Sequence, residues 1–173
     1  WKRPPSSPRL LGEDVRLISW HVNGIRAAIR HGFRDWLSSD LPDLLCLQET
    51  RIHHSQLTDG LRQFSDYHSH WATAERKGYS GVATLTLDRP TTVREGVGFP
   101  RFDVEGRVLL TQHKGFSLVN AYFPSGRRGL ERVEYKLEFY DALLGYCSKL
   151  RSEGQQLVVC GDLNTAHQAI DLA

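Results

Sequence analysis

"DLLCLQ", Asp43–Gln48, decides how this chain folds. The run is apolar without alternation, bounded by Pro42 on one side and by Glu49–Thr50 on the other. That is the pattern of a strand covered on both faces, as in layered α/β proteins. Working outward, "VRLISW" (Val15–Trp20) is strand-like, and "HVNG" (His21–Gly24) follows it as a turn. "IRAAIRHGFRDWLSSD" (Ile25–Asp40) places Ile25, Ala28, Ile29, Phe33, Trp36 and Leu37 on one helical face. "SQLTDGLRQF" carries a weaker helical signal. Beyond it the texture turns to short β-rich segments separated by Gly, Pro or polar turns: "YHSHWATA", "SGVATLTL", "TTVREGVG", "GRVLLTQH" and "FSLVNAYF". Lys114–Gly115 suits a hairpin turn. A long amphipathic helix is expected next, with Leu130, Val133, Leu137, Tyr140, Leu144 and Cys147 at helical spacing and Lys149 and Arg151 near its end. Gly154 closes it, and "QQLVVC" is a second buried strand. Together these segments predict a layered α/β protein with a mixed or largely antiparallel sheet and helices covering one face.

Composition sets broad bounds. The 173 residues suit one domain, and 40% hydrophobic with 24% charged residues is ordinary for a globular protein. No apolar run approaches the roughly 20 residues of a membrane-spanning helix. The start, Trp1–Asp14, is basic and proline-rich with no signal-peptide core, and reads as a loosely ordered tail. Cys46, Cys147 and Cys160 lie in apolar surroundings and read as reduced core thiols of an intracellular protein. Net charge is only +2, but 17 arginines and 5 lysines make up the 22 basic residues. Guanidinium forks suit phosphate groups, and a GC-rich coding sequence gives the same bias.

Three polar clusters each follow an apolar strand: "HVNG", "QET" and "GDLN" (Gly161–Asn164). Side chains just past strand ends gather at a common crevice in layered α/β folds. Convergence brings Asn23, Glu49, Asp162 and Asn164 together, an oxygen and amide set suited to a hard cation such as Mg²⁺ or Mn²⁺. Singly, Glu49 reads as a solvated turn residue, and "GDLN" as an Asx-type turn. The conjunction at three strand ends is what points to a site.

"SWHVNGIRA", "LCLQET", "GYSGVATL", "DVEGRV", "LVNAYFPSGRRGLERVEYK" and "VVCGDLNTAHQAIDL" occur in this order. With these motifs the chain, from Val15 to Leu172, closely resembles the exonuclease III class of apurinic/apyrimidinic endonucleases, within the endonuclease/exonuclease/phosphatase superfamily. The resemblance implies a layered α/β sandwich of the DNase I-like kind, of which this chain supplies mainly the first β-sheet with its covering helices. It implies a Mg²⁺-dependent (or Mn²⁺-dependent) phosphodiesterase that cuts double-stranded DNA 5′ to abasic sites, with 3′-phosphodiesterase and 3′→5′ exonuclease activity as further expectations. Glu49 is then the metal ligand, and Asn23 lines the metal pocket. Asp162 orients or activates the attacking water, Asn164 holds the scissile phosphate, and Tyr122 sets its hydroxyl against that phosphate. Lys77, Tyr79 and Arg128 map onto DNA-contacting stretches. By the same resemblance the partner is abasic duplex DNA and not a membrane, and the complete protein is a monomer. The compartment is then the bacterial cytoplasm and nucleoid, or a eukaryotic nucleus. Read without the family, Tyr122 in "AYF" is core packing, and "GYSG" is an ordinary turn.

The chain departs from the family pattern in three places. His21 stands where the family has Asn, putting a bulkier, protonatable ring in the pocket; it reads as a tolerated variant that bears on metal preference. Ala169 replaces a usual glutamate, and His167 reads as structural. The family's later half, with its further aspartate and its Asp–His acid/base pair, has no counterpart in these residues. Residues 15–173 therefore read as the N-terminal portion of the family domain. Two other readings stay open: a small-phosphoester or phospholipid hydrolase of the same superfamily, and a non-catalytic DNA-binding or interaction fragment.

Overall fold

In the computed structural model, which describes residues 14–64, 66–127, 129–166, 168 and 170, the apolar run after Pro42 forms strand β2 (Leu44–Gln48), buried along its whole length. It lies between β1 (Leu17–His21) and β4 (Val82–Thr86), and β3 (His68–Ala72) completes a four-stranded sheet in the order β1-β2-β4-β3. A second four-stranded sheet has the order β5 (Thr92–Glu95), β6 (Val108–His113), β7 (Phe116–Tyr122) and β8 (Leu157–Asp162). Parallel pairing occurs twice, β1 with β2 and β7 with β8; the other neighbours are antiparallel. A parallel pair needs a crossover, usually helical. Helices α1 (Ile25–Arg30) and α2 (Phe33–Asp40) make the first and α5 (Leu130–Ser152) the second. Shorter turns of helix fill the remaining connections: a 3₁₀ turn (His54–Gln56), α3 (Asp59–Arg62) and α4 (Pro100–Asp103).

Period-2 geometry explains the unbroken apolar run of β2. Leu45 and Leu47 point to the helix side, where they pack with Ile25, Phe33, Leu37 and Leu85. Cys46 and Leu44 point the other way, against Leu118 of the second sheet. The second sheet repeats this plan with Leu110, Val119 and Ala121 against Phe139 and Leu143 of α5. Two sheets face each other with helices outside both. Between them lies a polar staple: the fully buried Asn120 side chain donates to the Leu47 and Ala83 carbonyls at 3.3 and 2.9 Å and accepts from Gln48 Nε2 at 2.8 Å. The amide is therefore satisfied from the opposite sheet, as a buried polar group must be.

The layered α/β sandwich is as the sequence predicts, but β8, expected as a buried strand, is partly exposed along its length, and three further details differ. The chain contributes four strands to each sheet, not mainly to the first. The helix expected across Ile25–Asp40 is broken, because Gly32 takes the left-handed conformation (φ 91) and restarts the chain as α2. The face of α5 that packs is Tyr135, Phe139, Leu143 and Leu150, whereas Leu130 and Leu144 are 82% and 67% exposed. Apolar residues occupy two faces of α5, so periodicity alone is only partly right: of the expected set Tyr140 and Cys147 pack against the core, while Leu130, Val133, Leu137 and Leu144 are exposed. The Lys114–Gly115 hairpin is present, joining His113 to Phe116. The three cysteines are free thiols. No helix among the described residues is long and apolar enough to cross a membrane. The N-terminal tail, apart from Asp14, lies outside the described residues, as do Arg128, His167 and Ala169.

Candidate active site

The two parallel pairs end together, and that places the site. Register pairs His21 with Gln48, just before Glu49, and pairs Tyr122 with Asp162. Gly161 makes the second pairing close: a Cβ there would lie 1.8 Å from the Ala121 carbonyl oxygen, so only glycine lets β8 deliver Asp162 at this distance. Left-handed backbone clusters around the same crevice. Asn23, Glu49, Arg51, Ser80 and Asn164 all have φ between 45 and 54. Such non-glycine residues each cost on the order of 1–3 kcal/mol and gather at functional sites.

Glu49 is the hub. Its Oε1 accepts from Arg51 Nε at 2.8 Å and Nη2 at 2.5 Å. Its Oε2 accepts from the Tyr122 hydroxyl at 2.8 Å and lies 2.6 Å from His21 Nε2. Burial pushes this carboxyl up, but the hydrogen bonds from Tyr122, Arg51 and His21 outweigh burial and hold it below the usual carboxylate range. Tyr122 shifts the opposite way. Burial, then the bond and charge of Glu49, raise its phenol well above the ordinary value, so it stays protonated and donating.

His21 spans the crevice. Its Nδ1 lies 3.1 Å from Asp162 Oδ2, so one ring joins the two carboxylates. A neutral imidazole carries one N–H and donates to one of them at a time; only the imidazolium donates to both. Asp162 uses its other oxygen to accept from the Asn164 backbone N–H at 2.8 Å, the Asx turn expected of "GDLN". The Asn164 side chain is anchored to the Phe123 carbonyl through Nδ2 at 2.8 Å.

The structure thus brings Glu49, Tyr122, Asp162, Asn164 and His21 together. Asn23 sits exposed on the turn after β1, with its backbone in the left-handed region. Lys77 is exposed on the turn between β3 and β4. Tyr79 is not free: its hydroxyl accepts from Arg107 Nη2 at 2.9 Å and Arg132 Nη2 at 2.8 Å. This second network escapes sequence reasoning. Arg107, only 3% exposed, pairs with Glu105 at 2.5 Å, donates to the Tyr122 carbonyl at 2.9 Å, and lies 4.9 Å from the Tyr122 ring. Arg132 pairs with Glu105 at 2.9 Å. Arg107 therefore ties the Tyr79 loop to Tyr122, and its signal in sequence is only that "EGR" precedes a strand neighbouring β7.

The donor chemistry fits a hard divalent cation of the Mg²⁺ type. No three His, Cys, Asp or Glu side chains among the described residues form a ready-made cage. Mg²⁺ does not need one, because it keeps waters and takes one or two carboxylates plus substrate phosphate. Two carboxylates sharing one imidazole, with Glu49 held ionised, supply that minimal set.

Known proteins resemble this chain in sequence and fold. A family model described as the endonuclease/exonuclease/phosphatase family matches residues 18–173. An exodeoxyribonuclease of Bacillus subtilis is 42% identical over 159 residues, covering 91% of this chain and 62% of the relative. The zebrafish (Danio rerio) DNA repair nuclease APEX1 is 40% identical over 161 residues, covering 92% of this chain and 52% of the relative. Among solved structures, the catalytic domain of Xenopus laevis APE2 superposes with a TM-score of 0.78 at 31% identity, covering 89% of this chain and 60% of that one. An AP endonuclease from Archaeoglobus fulgidus gives 0.79 at 28%, covering 92% and 61%. The chain spans about half to three-fifths of the length of these proteins.

Proposed function

This chain belongs to the endonuclease/exonuclease/phosphatase family, and from that premise we propose that it is the N-terminal portion of a DNA-repair phosphodiesterase that cuts duplex DNA 5′ to abasic sites. Trimming of 3′ ends by the same phosphodiester chemistry is part of the proposal. The observation that carries it is the carboxylate pair Glu49 and Asp162, bridged by His21 and flanked by Tyr122, at the common end of two parallel strand pairs. Two of its relatives are an exodeoxyribonuclease and a DNA repair nuclease, which supports DNA as the substrate. Exposed apolar residues on the β8 edge, Val158 and Val159, support its reading as part of a larger domain.

In this proposal Glu49, beside Asn23, holds the divalent cation, which when bound neutralises charge on the scissile phosphate. Asp162 accepts the proton of the attacking water and, being fixed by the Asn164 N–H, presents one defined oxygen to it. Tyr122 keeps its proton and directs it at Glu49, and a phosphate oxygen entering the crevice competes for that same O–H. Asn164, anchored through Nδ2 on the Phe123 carbonyl, holds the scissile phosphate. Lys77 and Arg128 supply phosphate contacts. Tyr79 acts in this scheme through Arg107 and Arg132, as a positioning residue. The site works where DNA is, in a nucleoid or nucleus.

The test is incision of a duplex carrying one abasic analogue, with Mg²⁺ and with EDTA, beside an Asp162→Asn control. Metal-dependent cutting that the control loses supports the proposal. Cutting that survives both EDTA and the substitution overturns it.

A further inference from the structure

At the end of the sandwich opposite the candidate active site, the geometry points to a second binding site, one for a free phosphate group. The position follows from register. Gln48, Val82 and Ala72 mark the active-site end of the first sheet, while Leu44, Thr86 and His68 mark the other. A cleft of about 510 Å³ opens at that far end, where β3 and the β4–β5 connection meet. Strands of five residues separate it from Glu49 by roughly 17 Å of chain rise.

Its lining is one-sided in charge. Arg62, His68, His70 and Arg89 contribute to it together with hydroxyl residues such as Ser69 and Thr91, and no carboxylate among the described residues lines it. The Ser69 and Thr91 hydroxyls are spent on the Arg62 and Gln112 carbonyls, but the arginine forks are not used up within the fold. Arg62 spends only Nε, on the Leu57 carbonyl at 3.2 Å, which leaves both terminal nitrogens of its fork. Arg89 is exposed and makes no hydrogen bond or ion pair among the described residues. His70 Nε2 is buried without a partner among the described residues, an arrangement native interiors avoid unless a ligand or water completes it. The groups also repel one another: after burial, His68 and Arg89 are what disfavour a charged His70.

Unspent guanidinium nitrogens of two arginines beside two imidazoles around one open volume, with no acid lining it, fit a ligand that is anionic and offers acceptors on several sides. A tetrahedral phosphate does both, and guanidinium forks match its oxygens pairwise. The cleft accepts the phosphate as inorganic phosphate or as the phosphomonoester of a mononucleotide. Its one aromatic wall, Tyr67, gives a nucleobase no open face, being buried with its hydroxyl committed to the Pro42 carbonyl. The proposal is independent of the nuclease reading.

The test follows the histidine side-chain resonances of the 173-residue chain while inorganic phosphate is added at constant ionic strength near neutral pH. Saturable shifts at His68 and His70, with His53 and His54 unmoved, are expected. Arg89→Ala weakens the binding about tenfold or more, as loss of a charge-assisted fork implies, and Arg89→Lys weakens it less; denaturation without phosphate checks that both variants fold. A parallel titration with a 5′-mononucleotide distinguishes the two sources, and tighter binding of either supports the site. Shifts that grow linearly, appear equally with chloride, or persist unchanged in Arg89→Ala overturn it. So does binding of a single-stranded oligonucleotide at His70 with no response to free phosphate or mononucleotide.

Discussion

The two ends of this sandwich handle charge in opposite ways. At the candidate active-site end acids are matched by partners: Glu49 by Arg51, Tyr122 and His21, Asp162 by His21 and the Asn164 N–H, Glu105 by Arg107 and Arg132. At the far end, Arg62, His68, His70 and Arg89 gather with no carboxylate among the described residues that line their cleft. The same strands connect both ends, so the difference is not one of fold. It lies in which residue types stand within and just beyond the strands at each end. Under the proposed function, the hydrogen-bonded carboxylate cluster would meet a cation and a phosphate diester, whereas a cleft lined by cationic side chains and no carboxylate suits an anion.

The largest effect expected from breaking this contrast is on turnover. Asp162→Asn keeps shape and removes the proton acceptor of the proposed mechanism, so the proposed abasic-site incision should fall about 10²–10⁴-fold. Thermal denaturation should barely move, because the Asx turn tolerates Asn. Gel-based incision rates beside a melting curve check both halves. A stability loss matching the activity loss would mean that Asp162 is structural.

Arg107→Gln is expected next, and in stability. It strands the partly buried Glu105 with only Arg132 and unties Tyr79 from Tyr122. Breaking a buried pair costs about 3–5 kcal/mol. Arg89→Ser, in the other cationic region, should stay within about 0.5 kcal/mol because nothing in the fold leans on it. Urea denaturation of the two variants side by side measures the difference; equal losses would erase the distinction between a used and an unused arginine. Asn120→Ala is smaller, about 1–3 kcal/mol, since it takes one hydrogen-bond partner each from the Gln48 amide, which keeps Ser19, and from two carbonyls between the sheets. The same urea series reads it, and a change below about 0.5 kcal/mol would show that the staple is dispensable.

These residues also show where a sequence is readable. Glu49 and Asp162 are legible because a lone acid after an apolar strand is usually a turn residue, but three polar strand ends that coincide are not three accidents. β2 is legible because both its faces are apolar. The packed face of α5 is not: Leu130, Leu137 and Leu144 keep helical spacing as well as Tyr135, Phe139 and Leu143 do, and only the sheet beneath selects between them. Arg107 is illegible because its partners Tyr79, Tyr122 and Arg132 are distant in sequence. They meet only because β6 lies beside β7 and the Tyr79 loop folds over both. His21 lies between: its departure from the family pattern is visible in sequence, but its place between two carboxylates is a fact of three dimensions.

The smallest expected effect sharpens the comparison through pH. His70 and His113 at the far end are both held below the ordinary imidazole value of 6.5, first by burial. His68 and Arg89 add to this at His70; at His113, His70 lowers further while Asp88 pulls back. The unfolded chain therefore binds more protons than the folded one once pH drops below about 6.5, and stability must fall with pH through that window. Glu49 and Glu105 are depressed carboxylates, so their contribution is intact there and is lost only as pH falls below the ordinary carboxylate value of 4.5. Acid destabilisation between about pH 7 and 5 thus belongs to the far end. Denaturation in phosphate-free buffers at both pH values should show it in the wild-type chain and show less of it in His70→Gln. An undiminished pH dependence in that variant would move the acid sensitivity away from the imidazole cluster. It would leave the two ends alike in the one property that most separates them.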